Sequence, residues 1–374
     1  MTKPVELNKI ESNTELIKTD KYKISFLTHD RFDDFFEFNK KIYPKLKNLI
    51  NLKDRFFHHI LNNPLIKDKS NPPILIAYDM EDQIIGQLLG NPCEIYVGAK
   101  YQEVFYASGF YVLKEYRKTG VGTSLAKLFF KYFKFWITVG VSPMAKNIDL
   151  SFGDFVAEMY KFVWFMDLFS LINATGSSLF KDKWLLKSKI LQNVEFPKLL
   201  ALKNYNFSLV NSLESWEDNP WDNKTLKFKR SLEFINWCFL KNPSKCFLYV
   251  LNNSKSQAYF VVRKCVYREM NFLEIVDYRV ENKDSKSFTA ILNAAKKLVR
   301  MLRFNGIITT STHHFFDKEL AKNFFLRNKS PEIVITNVMS DINKQTLKRR
   351  NQVFVTKTDE ILGLIYDPAY EINK

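Results

Sequence analysis

Cysteine is scarce in this chain: Cys93, Cys238, Cys246 and Cys265 are the four among 374 residues. None form a Cys-x-x-Cys pair and no paired histidine spacing accompanies them, so a structural zinc site is not expected and no metal is assigned. Four scattered thiols also fit a reducing compartment better than a disulfide framework. Long apolar runs are missing too. The most apolar stretch, Phe152 to Ala174, is interrupted by Asp154, Glu158, Lys161 and Asp167, which argues against a membrane span. The first twenty residues are polar, with no apolar signal segment, so a soluble cytoplasmic protein is expected. Negative charge is in short supply: 40 Asp and Glu against 56 Lys and Arg leave a net charge of +16. Such an excess favours anionic partners, yet it is scattered, and only Lys348-Arg349-Arg350 forms a tight cluster. A generally basic surface accounts for it as well as a polyanion site does.

What is present is apolar and aromatic. Hydrophobic residues make up 46% and phenylalanine alone contributes 34, enough for ordinary cores rich in rings. The length suggests about two domains. One stretch organises the rest, Val104 to Lys134. Val104 to Leu113 is dense in β-branched and aromatic residues and predicts a buried strand. Arg117-Lys118-Thr119-Gly120-Val121-Gly122-Thr123 follows. Then Leu125, Leu128, Phe129, Tyr132 and Phe133 recur at helical spacing. A basic glycine loop that opens a helix is suited to an anion, because the first turn carries unpaired N–H groups and the positive end of the helix dipole. Gly120 and Gly122 let the backbone approach phosphate oxygens. The spacing excludes a nucleotide-triphosphate P-loop, and the dinucleotide fingerprint would need a third glycine.

Arg117-x-x-Gly120-x-Gly122 resembles in full the pyrophosphate loop of the GNAT superfamily, the acyl-CoA-dependent N-acetyltransferases, and Tyr111 to Arg117 resembles the strand end before it. The order of elements extends the likeness over about residues 20 to 170. Tyr22–Thr28 predicts a strand, Asp30 to Tyr43 and Leu52 to Leu61 predict helices, and Ile74–Tyr78, Ile84–Leu89 and Cys93–Val97 predict further strands. After the central helix come a strand at Phe135–Val141, a short helix at Ser142–Gly153 ending at a glycine cap, and a strand at Phe155–Phe165.

From about residue 226 the order repeats: Phe247–Val250, Ala258–Val262, Asn271–Val280, a helix at Phe288–Arg303, Ile307–Thr312, a short helix at Asp317–Leu326, and Ile333–Met339. Here the loop is Glu281 to Ser287, with no glycine and two acids, so the second copy is not expected to bind CoA. Arg230 to Pro243 resembles the opening of second halves in tandem GNAT proteins of bacterial cell-surface polysaccharide loci. The expected fold class is therefore α+β: tandem GNAT-like domains, each a mixed, mostly antiparallel central sheet flanked by helices. The expected organisation is a tail at 1–20, a catalytic domain at 21–170, a connector at 171–225 and a degenerate domain at 226–374.

The resemblance implies acetyl-CoA as co-substrate and direct attack of a primary amine on its thioester. It implies that Val112, Leu113, Arg117, Lys118, Thr119, Gly120, Val121, Gly122, Thr123 and Ser142 hold the cofactor, and that a bulged main-chain N–H, by position that of Val112 or Leu113, binds the oxyanion. Family members often carry an Asn and a Tyr on the short last helix, the Tyr protonating the leaving thiolate. Ser142 and Asp149 stand there instead, and an ionised, solvated Asp149 would be a poor acid. No carboxylate lies between Val104 and Val112, so Glu103 at the strand's entrance and Glu94 on the preceding strand are the candidate bases. The acceptor is expected to be a small-molecule amine, an amino sugar in surface polysaccharide synthesis fitting the tandem likeness. Nucleic acid is not an expected partner, and the second half is expected to shape the acceptor pocket or a homodimer interface. Two other readings stay open: a non-catalytic acyl-CoA-binding protein, and a Fem-like aminoacyltransferase using aminoacyl-tRNA, which the intact loop disfavours.

Overall fold

The structure is a computed structural model that describes residues 15–43, 53–54, 57–168, 170–171, 194–242, 246–252, 257–267, 270–329, 331–338, 347–348 and 352–359. Most of the connector up to residue 193, most of the basic cluster at 348–350, Pro243 and the tail up to residue 14 lie outside these residues. The first half runs β1 (Ile17–Lys18), β2 (Lys23–Phe26), α1 (Phe32–Ile42), β3 (Ile74–Tyr78), β4 (Ile84–Val97), β5 (Lys100–Val112), α2 (Val121–Tyr132), β6 (Trp136–Val139), α3 (Pro143–Phe152) and β7 (Asp154–Phe165). β3 and β6 are buried at every position, as their largely apolar sequences require, with the Thr138 hydroxyl of β6 satisfied by a main-chain carbonyl. α2 buries Val121, Leu125, Leu128 and Phe129, one helical face, against this sheet.

Ile84–Leu89 and Cys93–Val97, expected as separate strands, form the single long strand β4. Pro92 sits within it and is tolerated for a specific reason. On one side β4 pairs with β5 throughout; on the other it pairs with β3 as far as Leu89 and with β10 (Leu226–Phe228) only from Ile95. Pro92 falls in the gap between these two neighbours, where a missing N–H breaks no ladder bond. At the end of α3, Gly153 is extended rather than left-handed. Its requirement is space, since a Cβ there would lie 2.6 Å from the Trp136 ring.

The second half contains β8 (Leu199–Ala201), β9 (Asn206–Val210), β11 (Phe247–Leu251), β12 (Ala258–Tyr267), β13 (Met270–Val280), α4 (Ser285–Leu302), β14 (Gly306–Ser311), α5 (His314–Lys322), β15 (Leu326–Arg327), β16 (Glu332–Asn337) and β17 (Val353–Phe354). β12, β13 and β14 repeat the pairing of β4, β5 and β6: antiparallel, then parallel. The repeat extends to single bonds. Thr138 Oγ1 donates to the Ala107 carbonyl at 3.2 Å, and Thr309 Oγ1 donates to the Ile275 carbonyl at 3.1 Å.

The halves exchange their last strands. β16, late in the chain, pairs with β6 of the first half, and β7 of the first half pairs with β14 of the second; β16 and β7 pair with each other between them. One continuous sheet results. Further ties join the halves: His58 and Trp237 exchange two bonds, ring nitrogen to main-chain carbonyl each way, at 2.9 Å. A buried charge cluster lies near this seam. Asp277 takes Arg230 at 3.0 Å, Arg279 at 2.8 Å, the Tyr259 hydroxyl at 2.7 Å and the Thr356 hydroxyl at 2.6 Å. The two guanidiniums hold its carboxyl below the usual range against the opposing effect of burial. Among the described residues no helix is long and apolar enough to cross a membrane.

Candidate active site

A cleft opens where two strands stop pairing. β5 and β6 are register partners only at Phe105/Trp136 and Tyr106/Ile137. Beyond Ala107 they part, and Ser108, Gly109 and Phe110 face Val139, Gly140 and Val141 across a cavity of about 180 Å³. A strand edge without a neighbour carries main-chain N–H and C=O groups able to bond an extended ligand. α2 supplies Ala126 and Phe130 to the walls, and α3 supplies Ser142, Ala145 and Asp149, which share one helix face at i, i+3 and i+7. Phe130 is wedged between Trp136 and Phe152, with ring centroids at 4.4 and 4.5 Å.

β5 itself is irregular at this point. Gln87 pairs with Tyr111 and Leu89 with Ser108, so Leu88 alone opposes two residues, Gly109 and Phe110. This is a bulge with glycine in the left-handed region, φ +59°, at its first position. It is pinned from behind. Asn39 of α1 donates to Gln87 Oε1 at 3.0 Å, and Gln87 Nε2 donates to the Gly109 carbonyl at 3.2 Å. The ladder removes one of the two N–H groups expected to be free, that of Leu113. Leu113 N–H is not available, because it donates to the Ile85 carbonyl at 2.9 Å; that bond makes Val112 and Gly86 a non-hydrogen-bonded pair, so the Val112 N–H points away from β4. A bulge leaves one residue out of the ladder, here within Gly109–Phe110, so this stretch adds a second candidate beside Val112. The sequence did hold the signal: a lone glycine inside a strand pattern marks a bulge.

The basic glycine loop sits at the other end of this region. Gly120 precedes α2 in the left-handed region, φ +88°, and no side chain caps the helix. Ser124 N–H is the first to find a main-chain acceptor within the helix, Gly120 O at 3.0 Å. The N–H groups of Val121, Gly122 and Thr123 therefore precede the ladder, an anion-binding arrangement. Arg117 is held by a bond from Nε to the Val112 carbonyl at 3.1 Å and lies over the Tyr111 ring. Lys118 is exposed, and Thr119 Oγ1 bonds Tyr116 O at 2.7 Å. The Val121 side chain is fully buried, so only its main chain faces the loop. A Cβ at Gly122 would lie 3.6 Å from Phe110 Cζ, which places the loop beside the bulge wall. Ser142 uses its hydroxyl to accept the Ala145 N–H at 3.2 Å, capping α3 at the cleft's rim.

Glu94 and Glu103 are not brought to the cleft. They face each other across β4 and β5 far along the hairpin, five residues from Ser108, roughly 16 Å of strand. Glu94 bonds Tyr101 at 2.7 Å and Lys229 at 3.2 Å. Asp149, expected to be solvated, is instead 7% exposed. Burial alone pushes its carboxyl up to about 7. Periodicity of α3 could not reveal this, because the elements packed on α3, α2 and β16, include one from far along the chain.

Comparison with known proteins bears on the fold. No family model matches the chain, and no curated protein matches its sequence. Solved structures do match in shape. A GCN5-related N-acetyltransferase from Anabaena variabilis superposes with a TM-score of 0.54 at 10% identity, covering 85% of this chain and 72% of that one. The N-myristoyltransferase of Saccharomyces cerevisiae, solved with bound myristoyl-CoA, gives 0.55 at 12% identity, covering 94% and 88%. An Enterococcus faecalis protein described as a probable N-acyltransferase gives 0.52 at 10%, covering 84% and 71%. The fold is the GNAT fold. In its terms, the cleft lies at the splayed central strands of the first half and the glycine loop opens the helix between them.

Proposed function

We propose that the chain is an acyl-CoA-dependent N-acyltransferase with one donor site, in the first half. The pyrophosphate would take the N–H groups of Val121, Gly122 and Thr123 with charge from Arg117 and Lys118. The pantetheine arm would add as a short strand along the open edge of β5, and the thioester would lie at the Gly109–Phe110 bulge, whose spare N–H meets the developing oxyanion. Acetyl-CoA suits the cavity of about 180 Å³ better than a long acyl chain, since a cavity of about 150 Å³ is filled by one benzene. The acceptor is a primary amine, and an amino sugar of surface polysaccharide synthesis is the class the tandem resemblance supports. The observation that carries this reading is the uncapped, glycine-led start of α2 beside the parting of β5 and β6.

The second half serves as structural partner rather than a second donor site. Asp284 caps α4 there, its carboxylate accepting from Lys286 N–H at 3.0 Å and Ser287 N–H at 3.2 Å, where a phosphate would sit. Titration calorimetry of the whole chain with acetyl-CoA tests the reading, alongside CoA release with a panel of amino sugars. One site per chain and amine-dependent release are expected; absence of binding would remove the assignment.

A further inference from the structure

The cavity holds one carboxyl that nothing in the fold requires. Of the groups lining it, Asp149, Tyr43 and Tyr106 can titrate. The Tyr106 hydroxyl is committed to the Val139 carbonyl at 3.3 Å, and the Ser108 hydroxyl accepts from Asn91 at 3.0 Å. The Asp149 carboxyl has no hydrogen-bond partner among the described residues. Burying an unpartnered carboxyl costs stability that an apolar residue at the same place would not. Such a group in a cleft is a candidate for chemistry.

Resting on the acyl-transfer reading, we propose that Asp149 is the single proton carrier of the reaction, taking the amine's proton and delivering it to the departing sulfur. The amine nitrogen attacks the thioester carbon, a C–N bond forms, and the carbonyl electron pair moves to oxygen at the bulge. The ionised Asp149 carboxylate removes one proton from the now cationic nitrogen. The carbonyl re-forms, the C–S bond breaks, and its electron pair stays on sulfur. Protonated Asp149 gives the same proton to that sulfur. The products are the amide and the CoA thiol, and Asp149 is ionised again, so one group serves both transfers with no external acid or base.

Its environment suits both directions. A carboxyl at about 7 is basic enough to accept from an ammonium-like intermediate, and acidic enough to donate to a thiolate whose thiol has a reference near 8.5. The facing elements bring no charge to offset this: α2 presents Ala126 and Phe130, β5 Tyr106 and Ser108, β6 Thr138 and Val139, and α1 ends in Tyr43. Lys127 and Lys131 of α2, Lys146 of α3 and Glu332 of β16 are charged residues on the surrounding elements, and the shift comes from burial, not from any of them.

The test uses the full chain, acetyl-CoA, and aniline, an amine uncharged over the pH range used. Since the ionised form starts the cycle, kcat for CoA release should rise with pH through about 7 and level off. Asp149→Asn should lower kcat by about a hundredfold or more and abolish that limb, with acetyl-CoA affinity unchanged and melting at neutral pH no lower than that of the native chain, because the buried carboxylate's cost is gone. Asp149→Glu should keep a limb, displaced in pH. If Asp149→Asn binds acetyl-CoA and keeps kcat within tenfold with the limb intact, the inference is overturned and the transferase reading stands. If the native chain binds no acetyl-CoA, or releases no CoA with any amine, the transferase reading falls and takes the inference with it.

Discussion

Gly120 and Asp284 stand at the same place in the two halves, directly before α2 and α4, and they have opposite consequences. Gly120 leaves the helix start open, whereas Asp284 closes it with its own carboxylate. The same topology thus carries an open helix start in one half and a capped one in the other. Gly122→Glu should therefore abolish acetyl-CoA binding, because a carboxylate would enter the phosphate path. The fold should persist, since a Cβ there meets only ordinary contacts of 3.5 and 3.6 Å. Calorimetry together with a melting curve checks both halves of the statement. Asp284→Ala should cost about 1 kcal/mol of stability and create no second site.

Gln87 acts on the bulge without lining the cavity. Gln87→Leu would remove its bond to the Gly109 carbonyl and leave Asn39 only its bond to the Phe35 carbonyl. The spare N–H at Gly109–Phe110 would then lose its fixed aim, and removing a preorganised oxyanion donor costs on the order of a hundredfold in kcat. Acetyl-CoA affinity, set mainly at α2, should change little. Steady-state kinetics beside calorimetry separates the two, and an unchanged kcat would show that the bulge needs no such support.

Phe130 closes the cleft against Trp136 and Phe152. Phe130→Ala should shift the preference from acetyl-CoA toward acyl chains several carbons longer, at a stability cost of about 3 kcal/mol for the lost ring. A chain-length series of acyl-CoA donors measures it. Preference for acetyl-CoA in the variant would place the acyl group elsewhere.

His313 makes the second half sensitive to acid. Its Nδ1 caps α5 by accepting the Phe315 N–H at 3.1 Å, and burial brings its ring down from 6.5 to about 4. The folded state thus favours the neutral ring, while the unfolded chain protonates near 6.5. Stability from this group is complete above pH 6.5 and is lost as pH falls through about 4, up to about 3 kcal/mol. His313→Asn keeps a capping oxygen and removes the titration, so its melting temperature should fall less than the native one between pH 7 and 4.5.

Much of this protein was legible in the order of its residues. The strand at Val104, the helix after Gly122, the loop between them and the repeated second half all follow from local patterns of two and 3.6 residues and from what glycine permits. The acidic loop at Glu281 could likewise be read as unfit for phosphate. What the sequence left open depends on contacts between distant segments. The bulge lies at Gly109–Phe110, and Leu113 N–H is tied to Ile85, because register is set by β4, not by β5 alone. β16 completes the first half's sheet from nearly two hundred residues away, a pairing that no local period encodes. Asp149 looks like a surface residue on its own helix and becomes a buried acid only when α3 packs against α2 and β16. Burial belongs to the assembled neighbours, and the chemistry of a carboxyl follows its burial.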